Sequence, residues 1–381
     1  MRDVQAHDQP PAPASHGSKG KRLLGLDVLR GIAVFLMIEQ HLGVWLWRGL
    51  SPGETMVEDH LGLLVFNALG GGAAPAFVTL AGIGSSLLAT KRAEAGKNPD
   101  RTLALRGVAV MGFGYLLSWL TPSWFSWHTW FVLHLMGFGM LLTPALRRLP
   151  TSALLGLALA VLASTGWIQA SLDVPLQLHN EYMRGRDPRS PVDWTGLRIA
   201  VAEGQFPIFP WFSFYLAGLA CGRFVGEGKL GRIGALAGGA ATVGAVGLAV
   251  RALASPAAGT ALWRTTTLTI PFFPASPTLV ALLLAAVLLG IWAVMAWERR
   301  WPLRASNPLV TLGRASLTLL ILHVWLFREA TRPIGVWQAL DANTAMAVLL
   351  SFVAFATLAS WLWQRVGYRY GAEWLLRKLA P

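Results

Sequence analysis

The chain has 381 residues, 54% of them hydrophobic and only 13% charged, with a mean hydropathy of +0.50. A soluble domain carries about a quarter charged residues, so these figures exclude a string of soluble domains, and the lone Cys221 excludes an internally bridged secreted scaffold. The formal net charge of +13 admits a nucleic-acid partner only if the positive residues gather away from membrane boundaries.

Residues 1–22 hold Pro, Ala, Gly and polar residues without an apolar period and are expected to form a disordered cytoplasmic tail. The apolar run that follows reaches Trp47, is too long for a signal-peptide core and has no small-residue cleavage site, so it is expected to remain as a first span. Further runs predict spans over 24–47, 62–90, 103–120, 130–147, 152–170, 207–226, 232–252, 278–297, 307–327 and 344–364, since about 20 apolar residues cross a bilayer as a helix. The predicted fold is all-α, a polytopic membrane helix bundle of about ten transmembrane helices, with one domain over 23–381.

Twenty of the 32 basic residues fall in segments that alternate onto one side. They include Lys91, Arg92, Lys97 and Arg101 between the second and third spans, and Arg365, Arg369, Arg377 and Lys378 after the last. Nine lie on the other side over longer loops, and Arg30, Arg106 and Arg314 lie within spans. This excess is the positive-inside pattern and places both termini in the cytoplasm. Topology and anionic inner-leaflet lipid explain the charge, and nucleic acid is not expected as a partner.

Trp119, Trp297, Trp301 and Trp361 sit near span ends, as interfacial anchors do, while Trp124, Trp127 and Trp130 in one outer loop read as anchors or as a surface for stacking on a sugar. Glycine-rich stretches at 70–72 and 234–247, with Gly234 four residues before Gly238, permit close helix packing. The longest polar stretch, 171–206, lies outside in this topology and is either a lid or acceptor-recognition element or a plain connector between helix groups.

Ionisable side chains within spans are costly and point to function. Asp27 and Arg30, three residues apart, are placed to form an ion pair near the cytoplasmic end of the first span. At about 100° per residue, His41 returns to within ~20° of Arg30 and lies ~16 Å further along the axis. Arg30 and His41 therefore share one stripe, and Glu39 faces the opposite way. Counting from the outer span ends at ~1.5 Å per residue, His41, His134 and His323 fall at one level, with Asn67 and Ser118 close to it. Three His ligands with an open position describe catalytic zinc, but no local spacing such as i, i+4 occurs and no metal is expected. General-base catalysis by one His is the simpler chemistry, because its ordinary pKa lies near neutrality. No nucleophile elbow, P-loop, dinucleotide fingerprint or haem-attachment motif is present.

LDVLRGIAVFLMIEQH (26–41) resembles the first-helix signature of the transmembrane acyltransferases, Asp-x-x-Arg-Gly-(Ile/Leu)-Ala followed by a polar residue or His. Four more segments follow in order: PAFVTLAGIGSSL (75–87), FVLHLMGFGMLL (131–142), FPIFPWFSFYLAGLACGR (206–223) and LGRASLTLLILH (312–323). They are similar to segments of the heparan-alpha-glucosaminide N-acetyltransferase catalytic-domain family and its bacterial relatives. Gly84 stands where that pattern has Ser, Leu320 stands where it has Tyr, and Glu39 and Gln40 add polarity. The large lumenal elements of the animal enzymes are lacking, so heparan is not carried over as substrate.

The resemblance implies a bundle in the plasma (inner) membrane of a bacterium. Such a bundle moves an acyl group, most often acetyl, from cytosolic acyl-CoA to a hydroxyl or amine of an extracytoplasmic saccharide or glycolipid. Monomer and homodimer both stay open. On that basis Asp27, Arg30, Arg314 and Ser316 are expected at the coenzyme A end, Arg30 contacting phosphates. His41 or His134 is expected as general base, with Asn67, Ser118 or His323 stabilising the oxyanion; a covalent acyl-His is an alternative. From another class, a transporter or flippase of lipid-linked sugars also suits ten spans with internal charges, although the two halves show no internal repeat. A non-catalytic scaffold leaves Arg30 and the three histidines without a purpose.

Overall fold

The computed structural model describes residues 23–183, 196–268 and 273–380, without the side chains of 66–68, 180 and 181. The expected tail and the middle of the 171–206 loop lie outside the described residues. Every regular element among these residues is helical, and one isolated bridge pairs Trp47 with Leu340. In chain order the helices are α1 (Leu24–Leu46), α2 (Leu61–Gly70), α3 (Ala73–Glu94), α4 (Pro99–Leu120), α5 (Val132–Leu146), α6 (Thr151–Ser171), α7 (Asn180–Met183) and α8 (Ile208–Gly226). They continue with α9 (Leu230–Ala254), α10 (Ala261–Thr266), α11 (Pro277–Arg300), α12 (Pro308–Arg314), α13 (Ser316–Val324), α14 (Ala342–Gln364) and α15 (Ala372–Leu379).

Eight helices, α1, α3, α4, α6, α8, α9, α11 and α14, are long and apolar enough to cross a membrane. The pair α12 and α13, which continues through a π-helical turn at Trp325–Ala330, is apolar enough when taken together but is bent by 73° at its break, the geometry of a broken span or a re-entrant loop. The apolar helix α5 has 15 residues, shorter than the ~20 a perpendicular span needs. The described residues thus supply eight candidate spans, or nine with the bent pair, against the ten predicted, and the molecule is a polytopic membrane helix bundle.

Two predicted spans are not continuous. The run 62–90 is divided at Gly71 and Gly72 into α2 and α3, because consecutive glycines weaken a helix that hydropathy alone would carry through. The run 307–327 breaks between Arg314 and Ser316. Polar caps start several helices: the Asn98 side chain accepts from the backbone N–H of Asp100 and Arg101 ahead of Pro99 at the start of α4, and Asp341 accepts from Asn343 and Thr344 at the start of α14.

Glycines set the decisive crossings. A β-carbon at Gly31 would overlap the Leu309 carbonyl, and one at Gly313 would overlap the Asp27 carbonyl, so α1 and α12 touch backbone to backbone. Gly82 and Gly218 do the same for α3 and α8. Within the glycine-rich stretch 234–247, α9 approaches α11 closely at Gly244 and Gly247, against Leu282 and Thr278, while Gly234 packs at ordinary distance on Trp292 and Gly238 faces open space. α1 is central, packing on α2, α3, α11, α12, α13 and α14. One apolar core gathers around α3, α6, α8, α9 and α11, and a second around α1, α4, α13 and α14. Two cavities lie between them.

Candidate active site

The first cavity lies at the Trp-rich end of α1. His41 on α1 and His323 on α13 meet there, with His41 Nδ1 and His323 Nε2 2.8 Å apart. His323 Nδ1 is 2.7 Å from the Leu319 carbonyl oxygen. A carbonyl can only accept, so Nδ1 of His323 carries the proton and its Nε2 is the bare nitrogen of a neutral ring. His41 must then donate from Nδ1, which leaves a lone pair on His41 Nε2. The ring is held by stacking on Trp45, 4.6 Å away, and by the edge of Trp124 at 5.2 Å. Behind these rings the buried Arg328 guanidinium lies 5.9 Å from Trp45, 5.7 Å from Trp124 and 4.3 Å from Trp337. It donates to the Ser123 hydroxyl and carbonyl at 3.3 Å and 3.2 Å.

The chamber holding His41 is small, with a cavity volume of about 70 Å³, below the roughly 300–1,000 Å³ usual for a small-molecule site. Met37, Phe77, Leu117, Trp124, Phe131 and Phe206 supply apolar wall, and Gln40 and Gln205 supply its other polar groups. Gln205 is the next-to-last residue of the stretch 171–206. Its backbone N–H donates to the Trp130 carbonyl at 3.2 Å, and Gly204 N–H donates to Ile199 at 2.7 Å across the π-helical turn Ile199–Glu203. Glu203 is fully buried and paired with Arg198 at 2.8 Å. Burial pushes the Glu203 carboxyl above its ordinary range, and hydrogen bonding and charge from Arg198 draw it part of the way back. Trp124 thus leaves the interfacial belt to build the site together with the buried Trp45, whereas Trp119, Trp127 and Trp297 stay exposed.

His134 stands apart from this pair. It is buried on α5, its Nδ1 accepts from the Phe131 N–H at 3.4 Å, and its Nε2 has no partner. The ring faces Tyr115, with centroids 4.6 Å apart, and packs on Gly114 of α4. It lines neither cavity. Ser118 is buried with its hydroxyl unpartnered and also lines neither cavity. Asn67 lies on α2, but its side chain is outside the described residues.

The second cavity opens at the basic end of α1 and is larger, with a cavity volume of about 360 Å³. Asp27 is buried at its base and bridges two arginines: Oδ1 accepts from Arg30 at 3.2 Å and Oδ2 from Arg314 at 3.2 Å. Arg314 also reaches the Gln364 side chain at 3.3 Å. The Gly31–Gly313 backbone contact is what brings Arg314 to Asp27. Ser316 starts α13 in the same wall, joined by Arg106, whose Nε has no partner, and by Arg377. A β-carbon at Gly84 would lie 3.3 Å from the Arg30 guanidinium, so a larger residue there would press on that group.

Arg377 comes from α15, beyond the last span, where the sequence reads as a topology signal. Glu373 of the same helix fixes it: Oε1 accepts from Leu317 N–H at 2.6 Å and Thr318 N–H at 3.1 Å, and Oε2 from the Thr318 hydroxyl at 2.6 Å. The carboxylate caps the first turn of α13, where the helix dipole favours negative charge. An amphipathic run AEWLLRKL after the last span was the available signal for this element.

The two chambers lie along one stripe of α1. Asp27 and Arg30 line the basic one, and Met37, Gln40 and His41 line the other. Phe77 of α3 lines both and stands between them. Among the described residues no three His, Cys, Asp or Glu side chains converge to hold a metal ion. The site therefore offers cations for a polyanion at one end and a neutral, tautomer-fixed imidazole at the other.

The catalytic family of heparan-alpha-glucosaminide N-acetyltransferase matches residues 22–247. No curated protein matches the chain. The match spans more than half of the chain and includes Asp27, Arg30, His41 and His134, while His323, Arg314, Ser316 and Arg377 lie beyond it. The chain belongs to the heparan-alpha-glucosaminide N-acetyltransferase catalytic family and is a membrane acetyltransferase.

Proposed function

We propose that this acetyltransferase takes an acetyl group from cytosolic acetyl-CoA and passes it to a saccharide or glycolipid acceptor on the opposite side of a bacterial plasma membrane. The positive-inside excess puts the Arg30 chamber at the cytoplasmic face. Arg30, Arg106 and Arg377 hold the donor phosphates there by charge-assisted hydrogen bonds, with Asp27 and Arg314 fixing the Arg30 side chain. The pantetheine arm runs along the α1 stripe past Phe77, so that the thioester lies beside His41.

His41 Nε2 then takes a proton from the acceptor as its oxygen or nitrogen attacks the thioester carbonyl. The carbon–sulfur bond breaks, and the leaving thiolate receives the proton from His41. His323 acts as a positioning residue that holds the productive tautomer. A general base so placed contributes about 10²- to 10⁴-fold to the rate.

The observation that carries this reading is the chain of Leu319 carbonyl, His323 and His41, which leaves the His41 Nε2 lone pair available in a chamber aligned with the cluster of arginines. It is tested by incubating the full chain in nanodiscs with [14C]acetyl-CoA and a panel of saccharides and glycolipids. Time-dependent thiol release with label entering an acceptor is expected. Neither thiol release nor transfer over the whole panel would overturn the proposal.

A further inference from the structure

A hydroxyl inside a helix often gives its proton to the carbonyl four residues back. Thr79 on α3 does so to Pro75 at 2.8 Å, and Thr143 on α5 to Gly139 at 2.8 Å. Ser85, in the middle of α3, makes a different bond: the phenol of Tyr215 on α8 donates to its Oγ at 2.8 Å, its one side-chain hydrogen bond among the described residues. Glycines create this meeting. A β-carbon at Gly82 would overlap the Tyr215 carbonyl, and one at Gly139 would lie 2.8 Å from the Tyr215 ring. The Tyr215 oxygen is also 2.8 Å from the Thr143 hydroxyl. A phenol has one proton, so with that proton on Ser85 the Tyr215 oxygen accepts from Thr143. Thr143 alone could satisfy the buried phenol, so burial of Tyr215 does not by itself call for Ser85.

Ser85 thus has a lone pair filled by Tyr215 and its own proton left to donate. The residue is 3% exposed and lines the cavity that holds Arg30. Ser85 and Ser316 are the uncharged polar side chains of that wall. Ser316 stands two residues from Arg314, among the cations. Ser85 belongs instead to the stripe of Phe77, Ala81, Gly84, Ser85 and Leu88 by which α3 lines the cavity. Gly84 lies against the Arg30 guanidinium, and Phe77 is eight residues, or ~12 Å, further towards His41. A fixed hydroxyl donor therefore stands between the cluster of arginines and the base.

Resting on the proposed function above, we infer that Ser85 donates a hydrogen bond to an amide carbonyl of the pantetheine arm of the acyl donor, with Tyr215 and Thr143 as positioning residues. That arm joins a polyanionic nucleotide to the thioester through secondary amides, whose carbonyl oxygens only accept. The arginines recognise the nucleotide by charge, and Ser85 recognises the neutral arm. The pair of signals separates coenzyme A from other phosphorylated nucleotides that the arginines alone would admit.

The full chain in nanodiscs is titrated calorimetrically with coenzyme A and with its nucleotide half, 3′-phosphoadenosine 5′-diphosphate, which lacks the pantetheine arm. Ser85→Ala is expected to weaken coenzyme A binding by about 2- to 10-fold, the worth of one neutral hydrogen bond, and to leave the nucleotide unchanged. Ser85→Thr, which keeps the hydroxyl, should recover most of the loss. Tyr215→Phe should show the same preference for coenzyme A with a smaller effect, whereas Arg30→Ala should weaken both ligands. Thermal unfolding confirms that each variant is folded. Equal weakening of both ligands by Ser85→Ala would overturn the inference and make the serine a structural residue; so would an unchanged affinity for coenzyme A. Either result leaves the enzyme class standing, whereas a wild type that binds no coenzyme A defeats the proposed function as well.

Discussion

The chamber at Arg30 and the chamber at His41 share α1 and meet at Phe77, yet four arginines line the first, whereas no charged side chain among the described residues lines the second. On the proposed function, the contrast follows from what each would handle. Phosphates would be held by cations near water, where a charged group keeps much of its solvation. Proton transfer would take place in apolar surroundings, where a hydrogen bond is electrostatically stronger and an unpaired charge most costly. One helix connects the two chambers, so on that proposal a single stripe of residues links recognition to chemistry.

The sharpest way to break this division is His41→Ala, which should lower turnover by about 10²- to 10⁴-fold while the KM for acetyl-CoA changes little, as steady-state thiol release would show. Next in size, Arg377→Ala and Arg30→Ala should each raise the KM for acetyl-CoA by about 10- to 100-fold, the worth of a charge-assisted hydrogen bond. The effect should shrink at high salt and vanish with acetyl-pantetheine, which has no phosphates. An equal effect on both donors would mean that these arginines only hold the bundle together.

Smaller again, His323→Phe should reduce kcat by about 2- to 10-fold through loss of the acceptor for His41 Nδ1. His323→Gln, whose amide oxygen can accept the same hydrogen bond, should recover part of it. The smallest effect concerns the turn that carries Gln205. Because burial raises the Glu203 carboxyl above its ordinary range, the folded chain keeps a proton there that the unfolded chain releases. Stability should therefore fall as pH rises from the ordinary glutamate range through the raised value. Thermal unfolding of Glu203→Gln should show a flatter dependence over that window.

The order and approximate ends of the spans were legible because a bilayer demands long apolar runs, and 62–90 was misread for the same reason: hydropathy is continuous across Gly71 and Gly72, and only backbone entropy divides it. Depth along a helix can be counted from a sequence, which placed His41 and His323 at one level. Rotation about a helix relative to its neighbours cannot, so His134, at the same level, turns instead against Gly114 and Tyr115. Asp27 and Arg30 follow from i, i+3 spacing alone, whereas their link to Arg314 depends on a crossing at Gly31 and Gly313 nearly three hundred residues apart. Arg377 was hidden because a basic residue after the last span satisfies the topology rule and gives no further cue. Gln205 was hidden because nothing in a polar loop marks which residue will be carried inward.

The division between the two chambers rests most directly on which histidine acts. Single-turnover cleavage of [14C]acetyl-CoA by the wild type, His41→Ala and His134→Gln decides it, with folding of each variant followed by thermal unfolding. His41→Ala should lose cleavage by about 10²-fold or more, and His134→Gln should retain it within a few-fold. Cleavage that survives in His41→Ala and is lost in a folded His134→Gln would contradict the assignment of the base.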